Sequence, residues 1–187
     1  LEAIQTVKKQ EKTMEPEKQV YKNPKVGTPL ISTISSGCKT PLLSVKFCNL
    51  LNPFYYPNSP TVPRYSITCI VIPDEHKEFL NGLQAIESNE KVDSIIKFDS
   101  EKKGGERLTT GNVLIKFQSK ETIPVYIQSD ETSEPVQIEL EDELARGEKV
   151  IVIYDILRYT KKHSVTVEHG LSFKPTSIFY YPEQQNM

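Results

Sequence analysis

The chain of 187 residues has no tryptophan, only 3 histidines and only 3 cysteines. Each scarcity narrows what it can do. Cys38, Cys48 and Cys69 have neither a disulfide-framework nor a metal-ligand spacing. They read as reduced, partly buried thiols of an intracellular protein. His76, His163 and His169 fall at a helix start, in a hairpin and at a strand end. None lies in a nucleophile elbow or a Cys/His motif. Gly104-Gly105 lacks the Lys-Ser/Thr that follows in a phosphate-cradling loop. The run Glu139, Glu141, Asp142, Glu143 has no histidine and no turn glycine of a metal loop, so it reads as an exposed acidic turn. These absences disfavour an enzyme, and no cofactor or metal is expected. No apolar run approaches the ~20 residues that cross a bilayer. The first residues are of mixed charge, unlike a secretory signal.

Neither sign of charge dominates: 23 Lys+Arg stand against 25 Asp+Glu, a formal net charge of -2. That excludes a uniformly basic nucleic-acid binder. The acids are unevenly placed, however. Asp130, Glu131, Glu134, Glu139, Glu141, Asp142 and Glu143 put seven acids and no base into residues 130–143. The rest of the chain holds 23 bases against 18 acids, a balance of +5. Residues 146–174 alone carry Arg146, Lys149, Arg158, Lys161, Lys162 and Lys174 against Glu148, Asp155 and Glu168. A basic face is compatible with the acidic total.

What is present sorts into a tail and one β-rich domain. Residues 1–27 alternate Lys8, Lys9, Lys12, Lys18 and Lys22 with Glu2, Glu11, Glu15 and Glu17, and read as a flexible N-terminal tail. Residues 28–182 form the domain, and 183–187 a short C-terminal tail. Residues 42–47 predict a strand. Residues 52–60, punctuated by Pro53, Pro57 and Pro60, predict a loop. Tyr65, Ile67, Cys69 and Val71 alternate towards Pro73, which predicts a half-buried strand. Asp74 is a candidate N-cap. Phe79, Leu80, Leu83 and Ile86 then predict a helix over 76–88. Residues 89–111 predict a mobile charged loop. Further strands are expected at 113–118, 123–128, 136–140 and 149–159, with a helical turn at 141–145 and a hairpin return at 163–167. One helix with six to eight short strands favours a small closed or partly closed β-barrel over a doubly wound fold. An OB-type barrel and a jelly roll both remain open at this level.

Cations and aromatics interleave along these strands. A cationic groove lined with aromatic faces is the chemistry that holds single-stranded nucleic acid. The candidates are Lys46, Phe47, Tyr55, Tyr56, Arg64, Tyr65, Lys116, Arg158, Tyr159, Lys161, Lys162 and Lys174. Tyr159 and Lys161, two apart, share one face of an extended strand. Phe117 and Tyr154 are expected to point inward. Phe47 and Tyr65 are evenly balanced between groove and core. Tyr55, Tyr56 and Tyr159, each beside a loop or charged stretch, are better placed for stacking. Phe179-Tyr180-Tyr181 is expected to cover the barrel.

The order of these motifs resembles the phage-type single-stranded-DNA-binding proteins of the gene 2.5 protein-like family. The resemblance rests on Arg64-Tyr65-Ser66-Ile67-Thr68-Cys69-Ile70-Val71-Ile72-Pro73-Asp74 entering a helix. It rests also on Arg146-Gly147-Glu148-Lys149-Val150-Ile151-Val152-Ile153-Tyr154, then Tyr159, then Gly170-Leu171-Ser172-Phe173. It spans about residues 38–181. It implies a mainly β OB-fold, a five-stranded Greek-key barrel with extra strands and one helix. It implies sequence-tolerant single-stranded-DNA binding in viral or phage DNA replication, recombination and repair, in the host cell cytoplasm or at a viral replication site. Single-stranded DNA is the implied partner, with replication proteins and a second copy in a homodimer as further ones. The same pattern occurs in some large DNA viruses of eukaryotes. Phage members often end in a long acidic tail. The last residues here, Tyr181-Pro182-Glu183-Gln184-Gln185-Asn186-Met187, do not show that pattern, which puts tail-mediated recruitment of a polymerase or helicase in doubt. The acidic segment 130–143 is a candidate substitute but reads first as an ordinary exposed hairpin. A virion jelly-roll subunit without nucleic-acid affinity is the alternative. A carbohydrate- or peptide-binding module is a third, lowered by the lack of tryptophan.

Overall fold

Alternation decides which side of each strand enters the core. In a computed structural model, which describes residues 30–130 and 132–182, Ile67, Cys69 and Val71 are buried opposite Phe117, Ile115 and Val113 in an antiparallel pair. Val150, Val152, Tyr154 and Ile156 alternate inward in the same way, as do Leu171 and Phe173. Phe117, Tyr154 and Phe173 meet as a triad of rings, with centroids 5.0, 5.5 and 6.0 Å apart.

The strands are β1 (Leu30–Lys39), β2 (Leu43–Tyr56), β3 (Ser59–Val71), β4 (Lys97–Lys103), β5 (Glu106–Ser119), β6 (Val125–Ile127), β7 (Val136–Ile138), β8 (Lys149–Lys162) and β9 (Val167–Tyr180). The helix α1 spans Lys77–Glu90. The hydrogen-bonded order is β4-β5-β3-β2-β8-β9-β6-β7, with β1 laid against β8. Only β6 with β9 is parallel among the described pairs, so the sheet is mixed. Within it, β5-β3-β2-β8-β9 has the strand order of an OB-fold, here with extra strands and one helix. The ladder is not closed between β5 and β9. Across that opening Phe117 and Phe173 face each other. Tyr181 is buried and Tyr180 packs on the core, while Phe179 stacks on Tyr126 at 5.2 Å. The terminal aromatic run therefore covers the sheet.

Several local expectations need correction. Residues 52–60 are not a loop: β2 and β3 run through them and turn only at Pro57-Asn58. The prolines are tolerated because the β2–β3 register is irregular between Asn49 and Phe54. Residues 89–111 are not one mobile loop. They hold the end of α1, all of β4 and the start of β5, joined by a tight turn at Gly104 (φ 57) and Gly105 (φ 87). Such positive φ values suit a two-glycine hairpin. The hairpin has no apolar stripe because both of its faces are largely solvated, and the one buried position of β4 is Asp99. Helix α1 starts after His76, not Asp74. The His76 ring accepts the Ile72 N–H at 3.0 Å through Nδ1 and so closes the turn after Pro73. Residues 141–145 form no helical turn. Glu143 instead accepts the N–H groups of Leu50, Leu51 and Asn52 at 2.7, 3.0 and 2.7 Å. The expectations for residues 1–27 and 183–187 lie outside the described residues.

The thiols are free. Cys69 is buried and Cys38 and Cys48 are half-buried. Burial pushes the Cys48 thiol up to about 12, against ordinary thiols near 9.0. Among the described residues no helix is long and apolar enough to cross a membrane.

Candidate nucleic-acid interface

The alternation that buries Ile156 and Phe173 turns their neighbours outward. Leu157, Tyr159 and Lys161 of β8 and Ser172 and Lys174 of β9 line a groove of about 490 Å³. Gln118 and Lys120, at the end of β5 and just beyond it, form the facing wall, and Arg64 of β3 closes it. Four cations thus surround one tyrosine, and Glu121 is the one acid in the lining. Lys174 Nζ lies 3.9 Å from Glu121 Oε1, a loose exposed pair that contributes little attraction. Ile31 and Leu157 add an apolar patch. A smaller hollow of about 200 Å³ shares Gln118 and Ser172 and extends the groove to Lys116, which is exposed on β5.

Tyr159 is held in place from two sides. It pairs with Gly170 across the β8–β9 ladder, and a Cβ on Gly170 would overlap its ring. Its hydroxyl donates to Glu168 Oε2 at 3.3 Å, and the same carboxylate pairs through Oε1 with His163 Nε2 at 3.0 Å. Burial first, then the charge of Glu168 and the bond to it, push the phenol above its ordinary range. Gly170 on one side and Glu168 on the other hold the ring in place.

Arg64 is set differently. Its guanidinium carbon sits 5.5 Å from the centroid of Tyr56. Tyr56 in turn donates its hydroxyl to Gln118 Oε1 at 3.5 Å and makes a T-shaped contact with Phe54 at 5.0 Å.

The structure therefore brings Arg64, Tyr159, Lys161 and Lys174 into one groove, with Lys116 beside it and Tyr56 beneath Arg64. It separates the others. Lys46 is 7 % exposed and its ammonium lies 2.9 Å from Asp99 and 3.4 Å from Glu101, so it is withdrawn from any phosphate. Burial alone would raise the Asp99 carboxyl. Hydrogen bonds from Lys46 and Thr110 and the charges of Lys46 and Arg146 hold it below the usual carboxylate range. Arg158 points away from Tyr159, as adjacent strand residues must. Its Nε lies 3.2 Å from Glu90 Oε1 and ties β8 to the end of α1. Tyr65 is half-buried and packs on the core, in line with Ile67 two residues on. Lys162 is exposed at the end of β8, outside the groove lining. Phe47, 57 % exposed, and Tyr55, exposed near the β2–β3 turn, also lie outside it. The sequence reading missed Gln118 and Lys120, although Lys116, Gln118 and Lys120 share the outward period of β5. It also missed Gly170 as the seat of Tyr159, because nothing in a sequence announces a cross-strand neighbour.

No family model and no curated protein matches the chain. Solved structures do. A C-terminal truncation of the single-stranded DNA-binding protein from bacteriophage Enc34 superposes with a TM-score of 0.53 at 16% identity, covering 77% of this chain and 84% of that one. The same phage protein in complex with ssDNA gives 0.53 at 17% identity, over 77% of this chain and 85% of that one. The fold is that of these phage proteins. The single-stranded DNA binding protein gp2.5 encoded by bacteriophage T7 matches at a TM-score of 0.44 and 14% identity, over 78% of this chain and 91% of that one.

Proposed function

We propose that this chain is a non-enzymatic protein that binds single-stranded DNA with little regard to sequence. Bases stack on Tyr159, and phosphates are taken by Lys161, Lys174, Lys120, Lys116 and Arg64. The observation that carries the reading is the groove itself. Four cations converge on a tyrosine ring that a glycine and a carboxylate hold still, on the outward side of an OB-fold sheet. Cations supply affinity for any phosphate chain, and a fixed aromatic face accepts any base. The likeness in fold to a phage protein solved with ssDNA supports the same reading. Replication, recombination and repair of viral or phage DNA inside the host cell, alongside replication proteins, is the setting we assign to it.

Fluorescence anisotropy with labelled single-stranded and duplex oligonucleotides tests it. The expected result is tighter binding to the single strand, weakening with salt at a log–log slope of about -3.5, about 0.7 for each of the five cations. Equal affinity for duplex and single strand contradicts the proposal. Absence of binding at low salt contradicts it too, and points to the structural, virion-type alternative.

A further inference from the structure

Tyr56 looks like a second stacking platform by composition, yet its surroundings give it another task. We infer that Arg64 is a fixed phosphate anchor of the groove and that Tyr56 is its positioning residue. This rests on the reading of the groove as a single-strand site.

Three observations converge. First, the Arg64 guanidinium lies over the Tyr56 ring at 5.5 Å, which occupies the face a base would need. The T-shaped contact with Phe54, at an interplanar angle of 80°, flanks the same ring. Second, the hydroxyl of Tyr56 reaches Gln118 on β5 at 3.5 Å, so the ring ties β2 to the groove wall. Third, Arg64 Nε is buried and has no hydrogen-bond partner among the described residues, nor has Arg64 an ion pair there. A buried donor left unpaired is costly. A guanidinium presents its donors in a rigid fork that matches phosphate oxygens. Nε itself is out of a ligand's reach, but the terminal amino groups of the same fork are not buried in this way, and a phosphodiester entering the groove meets them. Stacking on Tyr56 aligns the fork before the phosphate arrives, so little ordering remains to be done on binding.

The test is a double-mutant cycle on a labelled oligothymidylate, with the salt slope and the thermal midpoint measured for each variant. Arg64→Ala is expected to weaken binding about tenfold and to lower the slope by about 0.7, one phosphate contact fewer. Tyr56→Phe keeps the ring and is expected to bind within about twofold of the parent. Tyr56→Leu is expected to bind about fivefold more weakly in the parent, and with no further loss in the Arg64→Ala background. Arg64→Lys keeps the charge but not the fork. It is expected to retain the slope and lose about threefold in affinity, and it decides the matter should Tyr56→Leu fail to fold. An equal loss from Tyr56→Leu in both backgrounds makes Tyr56 a base-stacking residue and overturns the inference. So does an unchanged slope in Arg64→Ala, or Arg64→Lys binding like the parent. If the parent itself binds no single strand, the reading of the groove fails, and that result is distinct from either.

Discussion

Lys46 of β2 and Arg158 of β8 are strand cations like Lys161 and Lys174, yet they do a different job. Lys46 is buried between Asp99 and Glu101, Arg146 pairs with the same Glu101, and Arg158 holds Glu90. These cations stitch β2 to β4 and β8 to α1. On the outward faces of β8 and β9, Lys161 and Lys174 have no tight carboxylate partner among the described residues: Lys174 makes the 3.9 Å pair with Glu121, and Lys161 lies across the ladder from Glu168, whose exposed carboxylate feels its charge. The difference is not one of residue type. It comes from strand parity and from where the carboxylates fall. A cation opposite a buried acid becomes part of the fold, whereas a cation on a solvated face remains available to a phosphate.

Substitutions should separate the two sets, and the largest effect belongs to Lys46. Lys46→Met leaves Asp99 buried without its partner, a change that costs roughly 3–5 kcal/mol. The thermal midpoint should fall by about 10 °C, while the salt slope of the protein that remains folded is unchanged. Gly170→Ala comes next. The added methyl displaces the Tyr159 ring, and loss of stacking, roughly 1–3 kcal/mol, should weaken single-strand binding at least about fivefold. The same substitution in a Tyr159→Ala background should add nothing.

Acid should act on the structural set. Glu143 is half-buried, which by itself raises its carboxyl, but the N–H groups of Asn52, Leu51 and Leu50 hold it below its ordinary 4.5, and Asp99 sits below its ordinary 3.8. A depressed carboxyl contributes stability that is complete above its unfolded value and is lost as pH falls through the folded one. Denaturant midpoints should therefore hold steady down to pH 4.5 and drop below it, with Glu143→Gln showing a shallower drop. The smallest effect is expected at Lys162. It lies outside the groove, so Lys162→Ala should change affinity by less than about twofold in the same anisotropy assay.

The strands were legible wherever one face is apolar. The alternation Tyr65, Ile67, Cys69, Val71 marks β3, and Val150, Val152, Tyr154, Ile156 marks β8, because burial of one face imposes a period of two. The β4 strand escaped because Lys97-Phe98-Asp99-Ser100-Glu101 has no such stripe: Phe98 is exposed and the buried member is Asp99. Its partner in the core is the ammonium of Lys46, 55 residues before Glu101, and no local pattern reports a pairing that distant. The site divides on the same line. Tyr159 and Lys161 share a face by spacing alone. Which of Lys46, Arg158 and Lys174 meets a carboxylate depends on register and on α1, and so does the contact that makes Gly170 indispensable to Tyr159.

The account turns on the claim that the groove cations, and not the paired ones, take up phosphate. The direct measurement is the salt dependence of single-strand affinity for Lys161→Ala/Lys174→Ala beside Arg158→Ala. The account predicts that the double substitution lowers the log–log slope by about 1.4, two contacts at about 0.7 each, while Arg158→Ala leaves it unchanged. An equal change in both, or a change in Arg158→Ala alone, would contradict it.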